Sequence, residues 1–231
     1  MQLPRDMHVD GNTPVRLGIA RQSGGAARLV RGPDAALPTA MEFPPRVASR
    51  IYPRAVVKVM PVLSEALDPG PADFEFGAVF RVDKTSAGRR NDDGDNVFQR
   101  GLYSDGSIYK LEVDKHYPAC LIKGADGEVI VRSREKIKFD VWYRAMCNRT
   151  STEVSITVSR IGETAPPVTT VVAGASGNLY FRPSLPAAIG GKLNRHGRIV
   201  ENDTDQFNGA VAEVTIAISA QRSCCRPVDA D

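Results

Sequence analysis

Two acidic segments of the sequence contain the oxygen-bearing side chains that calcium prefers. Ca²⁺ takes about six to eight oxygen ligands, several of them from carboxylates. The candidates are Asp92, Asp93, Asp95 and Asn96 in one segment and Asn202, Asp203 and Asp205 in the other. An EF-hand counted from Asp93 would need Gly and Glu where the chain has Phe98 and Ser104, so that motif is excluded. Two hypotheses remain: a calcium site at these residues, or solvated loops stabilised by Asx turns.

A pair of carboxylates also falls on one face of a predicted strand. Glu112 and Asp114 flank Val113, and alternate strand residues point to the same side. Glycoside hydrolysis needs two carboxylates about 5–10 Å apart across a cleft. The sequence contains no Glu-x-Asp-x-x-Glu array, no Gln-x-His and no G-x-S-x-G nucleophile elbow. The pattern favours a solvent-facing polar strand and leaves a glycan-active enzyme as an unsupported alternative.

Other polar and aromatic residues are candidates for a ligand-binding face. Sugar recognition combines an aromatic platform with amide and acid hydrogen-bonding groups. The candidates are Asp95, Asn96, Gln99, Arg100 and Trp142. Trp142 is the only tryptophan and has the opposite parity to Tyr143, so it would face away from the core if Tyr143 faces it. The alternatives are a Trp142 buried between sheet and loop, and amides that only hold turns together. Aromatic residues make up 6% of the chain, which argues against a rich sugar platform.

Period-two alternation dominates the segments that must position these residues. Apolar and polar residues alternate within 74–82, 109–114, 154–159 and 212–218. This pattern is typical of half-buried antiparallel strands. Further short strands are predicted near 27–30, 55–60, 118–123, 128–133, 139–147, 179–182 and 187–190. Turn residues separate them, and the stretch KGADGE at 123–128 predicts a hairpin. Many short strands without an amphipathic helix predict an all-β, two-sheet antiparallel jelly-roll sandwich.

Length and charge place further bounds on the protein. The chain has 231 residues, enough for one large all-β domain with a full core. A net charge of +3 is too weak to indicate a nucleic-acid partner. No apolar run reaches the roughly 18 residues of a membrane span, and the first residues lack a signal-peptide pattern. The four cysteines form no CxxC motif, which makes zinc an unlikely ligand.

The order of the motifs resembles that of laminin-G-like, concanavalin A-like jelly-roll proteins of actinobacteria. The relevant stretches run AMEFPP, ALDPGPADFEFGAVF, GDNVFQRG, YKLEVD, YPACLIKG, FDVWYRAMCNRT, EVSITVSR, AAIGGK and DQFNGAVAEV. The resemblance covers about residues 25–219. It implies two antiparallel sheets, one of them often concave, in proteins that are mostly secreted and often bind glycans or extracellular proteins. It implies a fold more directly than a function.

Two implications of the resemblance concern particular residues. Family members often pair cysteines at the positions of Cys120 and Cys147, which would require an oxidising compartment; two buried thiols are the alternative. The family's last motif often reads Asp-x-Phe-x-Gly-x-Ile-Asp-x-Val. Asp205, Phe207 and Gly209 match it, but Ala212 replaces the Asp that related proteins use for a structural calcium. The stretch is therefore interpreted as a polar turn before the closing strand, with calcium as the minority hypothesis.

We therefore expect one jelly-roll domain over 14–219 between a flexible segment at 1–13 and a flexible tail at 220–231 that contains the vicinal pair Cys224 and Cys225. The expected function is a secreted or cell-surface, non-catalytic module that binds polysaccharide or a cell-envelope glycan. The alternatives are an adhesion or structural domain that recognises protein, and an unrecognised glycan-active enzyme. The expected partners do not include nucleic acid or a membrane, and calcium is the one cofactor considered.

Overall fold

A computed structural model describes residues 14–45, 52–63, 66–84, 94–200 and 205–219. The two predicted terminal segments, Cys224 and Cys225, most of the polar loop at 84–96, and residues 201–204 lie outside these ranges. No helix in the described part of the chain has the length and apolar character needed to cross a membrane.

Fourteen β-strands form the described structure. They are β1 Val15–Gln22, β2 Arg28–Arg31, β3 Thr39–Glu42, β4 Arg54–Pro61, β5 Phe74–Val82, β6 Gly94–Arg100, β7 Ile108–Asp114, β8 Tyr117–Gly124, β9 Gly127–Arg132, β10 Trp142–Arg149, β11 Glu153–Arg160, β12 Val168–Ala173, β13 Ala187–Ile189 and β14 Gly209–Ile218. Sheet A has the order β1-β4-β13-β6-β7-β8-β9, and sheet B has the order β12-β11-β10-β5-β14-β3-β2. All pairings are antiparallel. The predicted two-sheet sandwich is confirmed.

The core lies between the sheets and is filled by the residues of one parity from each strand. Phe74, Phe76 and Phe80 of β5 are buried, whereas Glu75 is exposed, as the alternation predicts. Tyr109 of β7 packs against Phe74 and Phe76 with ring centroids 5.5 and 5.1 Å apart. Aromatic side chains from both sheets thus meet at the centre, where large apolar area is removed from water.

A disulfide between Cys120 and Cys147 crosses this core. Cys120 lies in β8 of sheet A and Cys147 in β10 of sheet B, and both side chains are fully buried. The pairing that the resemblance implied is therefore confirmed.

The predicted hairpin at 123–128 also forms. Lys123 pairs with Glu128 and Gly124 with Gly127, which leaves Ala125 and Asp126 in the two-residue turn. Gly127 has a φ of 136°, a conformation that glycine adopts without steric cost.

The predicted strand at 179–182 does not form. Leu179 makes a single bridge to Gly70, and no strand residue follows within 180–186. Leu179 and Phe181 are buried while Tyr180 is exposed, so the alternation is real. Pro183 follows directly and cannot donate a ladder hydrogen bond, which limits continued pairing.

Candidate functional site

The outer face of sheet A, which points away from the core, carries a group of polar side chains at its centre. We call this group the polar strip: Asn96, Gln99, Lys110, Glu112, Lys192 and Asp205. The strand register brings its first four members together, because Asn96 pairs with Glu112 and Gln99 pairs with Lys110. Lys192 follows β13, and Asp205 precedes β14.

A β-bulge explains how Asn96 and Gln99 share this face although they are three residues apart. The register of β6 against β7 shifts between Asn96 and Phe98, so one extra residue is accommodated at Val97. A bulge of this kind changes which side chains point to each face of the sheet. Asn96 and Gln99 therefore both lie on the outer face, while Phe98 points into the core.

Hydrogen bonds and ion pairs link the members of the polar strip. The Asn96 amide nitrogen donates to Oε1 of Gln99 at 2.8 Å and to Oδ2 of Asp205 at 3.4 Å. The Gln99 amide nitrogen donates to the carbonyl of Gly101 at 2.6 Å. The Lys192 ammonium lies 2.5 Å from Oδ2 of Asp205, and Lys110 pairs with Glu112. The strip is thus held in one arrangement before any ligand arrives.

One polar atom in this network is buried without a partner. Among the described residues, Oδ1 of Asn96 accepts no hydrogen bond, and Asn96 is fully buried. A buried acceptor left unpaired costs about 1–3 kcal/mol, so such atoms are rare and call for an explanation. A ligand hydroxyl or amide would reach this oxygen only if the side chains that bury it moved.

The charged members of the strip are recessed. The side chains of Lys110, Glu112, Lys192 and Asp205 are only 14–19% exposed. Charged groups on the outer face of a sheet are ordinarily well solvated. Their low exposure shows that neighbouring groups cover most of their surface.

An open cleft borders one end of the strip. Its lining includes Arg54, Val56, Lys192, Asp205 and Gln206. The space in it that a water-sized molecule can enter is only about 10 Å³, far below the roughly 300 Å³ at the lower end for small-molecule pockets. The site therefore suits part of an extended ligand lying on the surface better than a small molecule enclosed in a cavity.

The predicted calcium ligands are only partly described. Asp93, Asn202 and Asp203 lie outside the described residues. Asp95 and Asp205 lie at the rim where β6 and β14 begin, and Oδ1 of Asp95 accepts from the Asn208 amide at 3.5 Å. The described ranges contain no group of three or more His, Cys, Asp or Glu side chains placed to hold a metal ion. Lys192 neutralises Asp205, and calcium at this rim stays a prediction.

Arg100 has a different environment from the other predicted binding residues. Its side chain is fully buried on the core side of β6 and is paired with Asp68. The guanidinium also lies 4.6 Å from the centroid of the Phe181 ring. Arg100 therefore ties the end of sheet A to the segment that closes the sandwich, and it does not reach the outer face.

Trp142 lies on the other sheet. Its strand neighbour Tyr143 is buried in the core, so Trp142 points to the outer face of sheet B, where it is half-buried. The Arg81 guanidinium covers the ring at 5.3 Å from its centroid. The structure therefore places Trp142 on the face opposite the polar strip.

The acidic pair on β7 is held by cations. Glu112 pairs with Lys110, and Asp114 pairs with Arg132 of β9. Glycoside hydrolysis needs two carboxylates that act from opposite sides of a cleft. Glu112 and Asp114 instead lie on one strand and are both engaged in ion pairs.

Comparisons with known proteins support the architecture. No protein-family model and no curated protein matches the sequence. Among solved structures, the chain is similar to the LG1-3 region of the laminin α2 chain, with 12% identity, a TM-score of 0.51, and coverage of 93% of this chain and 33% of that one. The fold is a laminin-G-like jelly roll.

Two further solved structures are similar in fold to this chain. The enzymatically active domain of tailspike protein 2 from bacteriophage CBA120 aligns with 15% identity and a TM-score of 0.55, over 93% of this chain and 30% of that one. A protein of unknown function from Shewanella oneidensis aligns with 8% identity and a TM-score of 0.51, over 91% of this chain and 81% of that one. The laminin-G-like chain thus spans about a third of the laminin and tailspike chains. Identities this low establish the fold alone.

Sequence reasoning found half of the polar strip. Asn96, Gln99 and Asp205 were predicted, whereas Lys110, Glu112 and Lys192 were not assigned to a ligand site. Lys110 and Glu112 could have been found from the polar face of β7 together with its pairing to β6. Lys192 approaches Asp205 only because the chain turns at Gly190 and Gly191, which no local pattern reveals.

Proposed function

We propose that this chain is a non-catalytic module that binds polysaccharide or a cell-envelope glycan through the polar strip of sheet A. The observation that carries the proposal is the buried, unpartnered Oδ1 of Asn96 within a recessed group of amides and ion pairs. Sugar hydroxyls both donate and accept hydrogen bonds, so they match a surface that mixes amide, carboxylate and ammonium groups.

The compartment proposed for this function is outside the cytoplasm. The Cys120–Cys147 disulfide supports that location, because such bonds persist in oxidising environments. The laminin-G-like fold is consistent with it. Lys110 and Glu112 are proposed to contact the sugar directly. Asn96 and Gln99, which lie deeper, would exchange hydrogen bonds with it. Asp95 and Asp205 would form the rim where calcium would bind.

The test is a thermal-shift screen of the protein against alginate, hyaluronan, xylan and dextran, each with calcium and with EDTA. A ligand that binds only the folded state at about 100 times its Kd adds about 2.7 kcal/mol of stability. That corresponds to a shift of several degrees in Tm. A shift that requires calcium would support the rim site.

Matched variants on the two outer faces locate the binding site. Lys110→Met with Glu112→Gln removes an ion pair from sheet A, while Arg144→Met with Glu213→Gln removes one from the outer face of sheet B. The first pair of changes should abolish the glycan-induced shift, and the second should leave it intact. The absence of any shift with every glycan would overturn the proposal in favour of protein recognition, and release of new reducing ends would indicate an enzyme.

A further inference from the structure

The outer face of β7 continues past the polar strip toward the start of the strand. Glu112, Lys110 and Ile108 share this face because they alternate along β7. We call the line from Glu112 to Ile108, with the neighbouring outer-face positions, the path. A strand rises about 3.4 Å per residue, so Glu112 and Ile108 are separated by roughly 14 Å. That distance exceeds a single monosaccharide unit and fits several linked sugar rings.

Apolar side chains lie along this path. Leu121 pairs with Lys110, and Ile108 pairs with Lys123, so both apolar side chains lie between charged neighbours on the same face. They are only 5% and 1% exposed, so both lie beneath the surface, whereas Ile130 of β9, which pairs with Leu121, is 49% exposed. Of these three side chains, Ile130 therefore offers the apolar surface on which the apolar face of a pyranose ring would pack, beside the charged side chains of the path.

An exposed aromatic ring stands at the end of the path. Tyr103 is 64% exposed, and the Lys123 ammonium lies 4.9 Å from the centroid of its ring. The same ammonium donates to the Tyr103 carbonyl at 3.0 Å. Lys123 thus connects Tyr103 to the outer face of sheet A.

The loop that carries Tyr103 is ordered by its own hydrogen bonds. The Leu102 N–H donates to the Asp105 carboxylate at 2.8 Å, and the Asp105 N–H donates to the Leu102 carbonyl at 2.8 Å. Gly101 begins the loop with a φ of 83°, and a Cβ there would lie 2.3 Å from the Ser107 carbonyl oxygen. A ring presented on such a loop loses little conformational entropy when a ligand stacks on it.

The charge at this end of the path selects for an acidic ligand. Lys123 bonds a carbonyl and faces a ring. Glu128 is its cross-strand neighbour, but no ion pair joins the two side chains in the described part of the chain. An ammonium paired only with neutral groups favours an added anion. Stacking on Tyr103 and attraction to Lys123 together match a sugar that carries a carboxylate.

We propose that the module binds an acidic oligosaccharide lengthwise along β7, with a uronate ring stacked on Tyr103, its carboxylate on Lys123, and the following sugars on Lys110, Glu112 and Asn96. This inference rests on the proposed glycan-binding function and adds the class of sugar, the direction of the chain and a minimum ligand length. It predicts that a single sugar binds weakly and that affinity grows with chain length until the path is filled.

The test measures the affinity of the purified protein for oligogalacturonates by calorimetry, using the di-, tetra- and hexasaccharide, with xylo-oligosaccharides of equal length as neutral probes. Affinity should rise from the disaccharide to the tetrasaccharide and fall as salt is added. Tyr103→Ala should weaken tetrasaccharide binding about five- to tenfold, while Tyr103→Phe retains it. Lys123→Met should abolish the preference for the acidic over the neutral series.

Tyr180 provides a matched control. It is 70% exposed, its N–H donates to Oγ of Ser107 at 3.0 Å, and neither residue is among the paired strand positions that form the path. Tyr180→Ala should leave affinity unchanged. One result would overturn this inference and retain the proposed function: binding that is lost without Lys110 and Glu112 but does not change with Tyr103, Lys123 or ligand length. No binding of either series to the folded parent protein would overturn the inference, and the polysaccharide screen then decides the proposed function separately.

Discussion

Cys120 and Cys147 join the two sheets of the sandwich through a disulfide at the centre of the core. Their Cα atoms are 6.0 Å apart, and they are separated by 27 residues in the chain. The bond thus connects β8 of sheet A to β10 of sheet B through a loop that includes β9. It restricts how far these two residues can separate in the unfolded chain.

Removal of this disulfide is expected to lower the free energy of unfolding by about 3–4 kcal/mol, as the loop-entropy relation gives for a loop of this length. Urea denaturation with and without dithiothreitol measures the effect. The double variant Cys120→Ala with Cys147→Ala is the control, since its midpoint should not respond to reductant. Equal midpoints for the oxidised and reduced parent protein would contradict this expectation.

The buried ion pair between Arg100 and Asp68 provides a second test. Arg100 is fully buried, and its guanidinium also donates to the Leu185 carbonyl at 3.3 Å. Asp68→Ala leaves that charge without its carboxylate, which is expected to cost about 3–5 kcal/mol of stability. Arg132→Met removes a cation that is 47% exposed, and it should cost less than about 1 kcal/mol. Urea denaturation measures the free energy of unfolding of both variants. Similar losses of stability would show that burial of the ion pair does not determine the cost of breaking it.

Gly190 positions the segment that carries Lys192. It has a φ of 83°, and a Cβ at this position would lie 2.1 Å from the ring of the buried Phe43. Gly190→Ala is therefore expected to destabilise the fold by more than about 2 kcal/mol, because it combines backbone strain with a clash in the core. Gly106→Ala is the matched control: a Cβ there has no atom within 4 Å, and its stability should change little. Thermal denaturation measures the stability of both variants, and equal losses would contradict this expectation.

The alternating strands were predictable from sequence, but the arrangement of the polar strip was only partly so. The segment 74–82 alternates clearly and forms β5, and the closing strand predicted over 212–218 forms within Gly209–Ile218. Four strands were not predicted: Val15–Gln22, Thr39–Glu42, Gly94–Arg100 and Val168–Ala173. Val15, Leu17 and Ile19 do alternate along the first of them and pack against the core, whereas the last shows no strict period of two. Oδ2 of Asp205 accepts from Asn96, 109 residues earlier, only because two sheets and a bulge bring them together. Such a contact depends on the whole fold and leaves no local pattern.

Tyr109 makes stability depend on pH in the alkaline range. Burial raises the pKa of its hydroxyl above the ordinary value of about 10, although the neighbouring Arg100 opposes the shift. Above that pH the unfolded chain releases a proton that the folded protein retains. The free energy of unfolding should therefore fall as pH rises, by up to about 1.4 kcal/mol per pH unit for this group.

Tyr109→Phe separates this effect from general alkaline damage. The variant loses the hydrogen bond from the hydroxyl to the Leu67 carbonyl, at 3.2 Å, and should be about 1 kcal/mol less stable near neutral pH. It should also lose less stability than the parent protein between about pH 9 and about pH 11, because no buried hydroxyl remains to resist ionisation. Urea denaturation across this range measures both slopes. Tyr103→Phe, which alters an exposed ring, should retain the parent slope, and equal slopes for the parent and Tyr109→Phe would assign the alkaline loss to other groups.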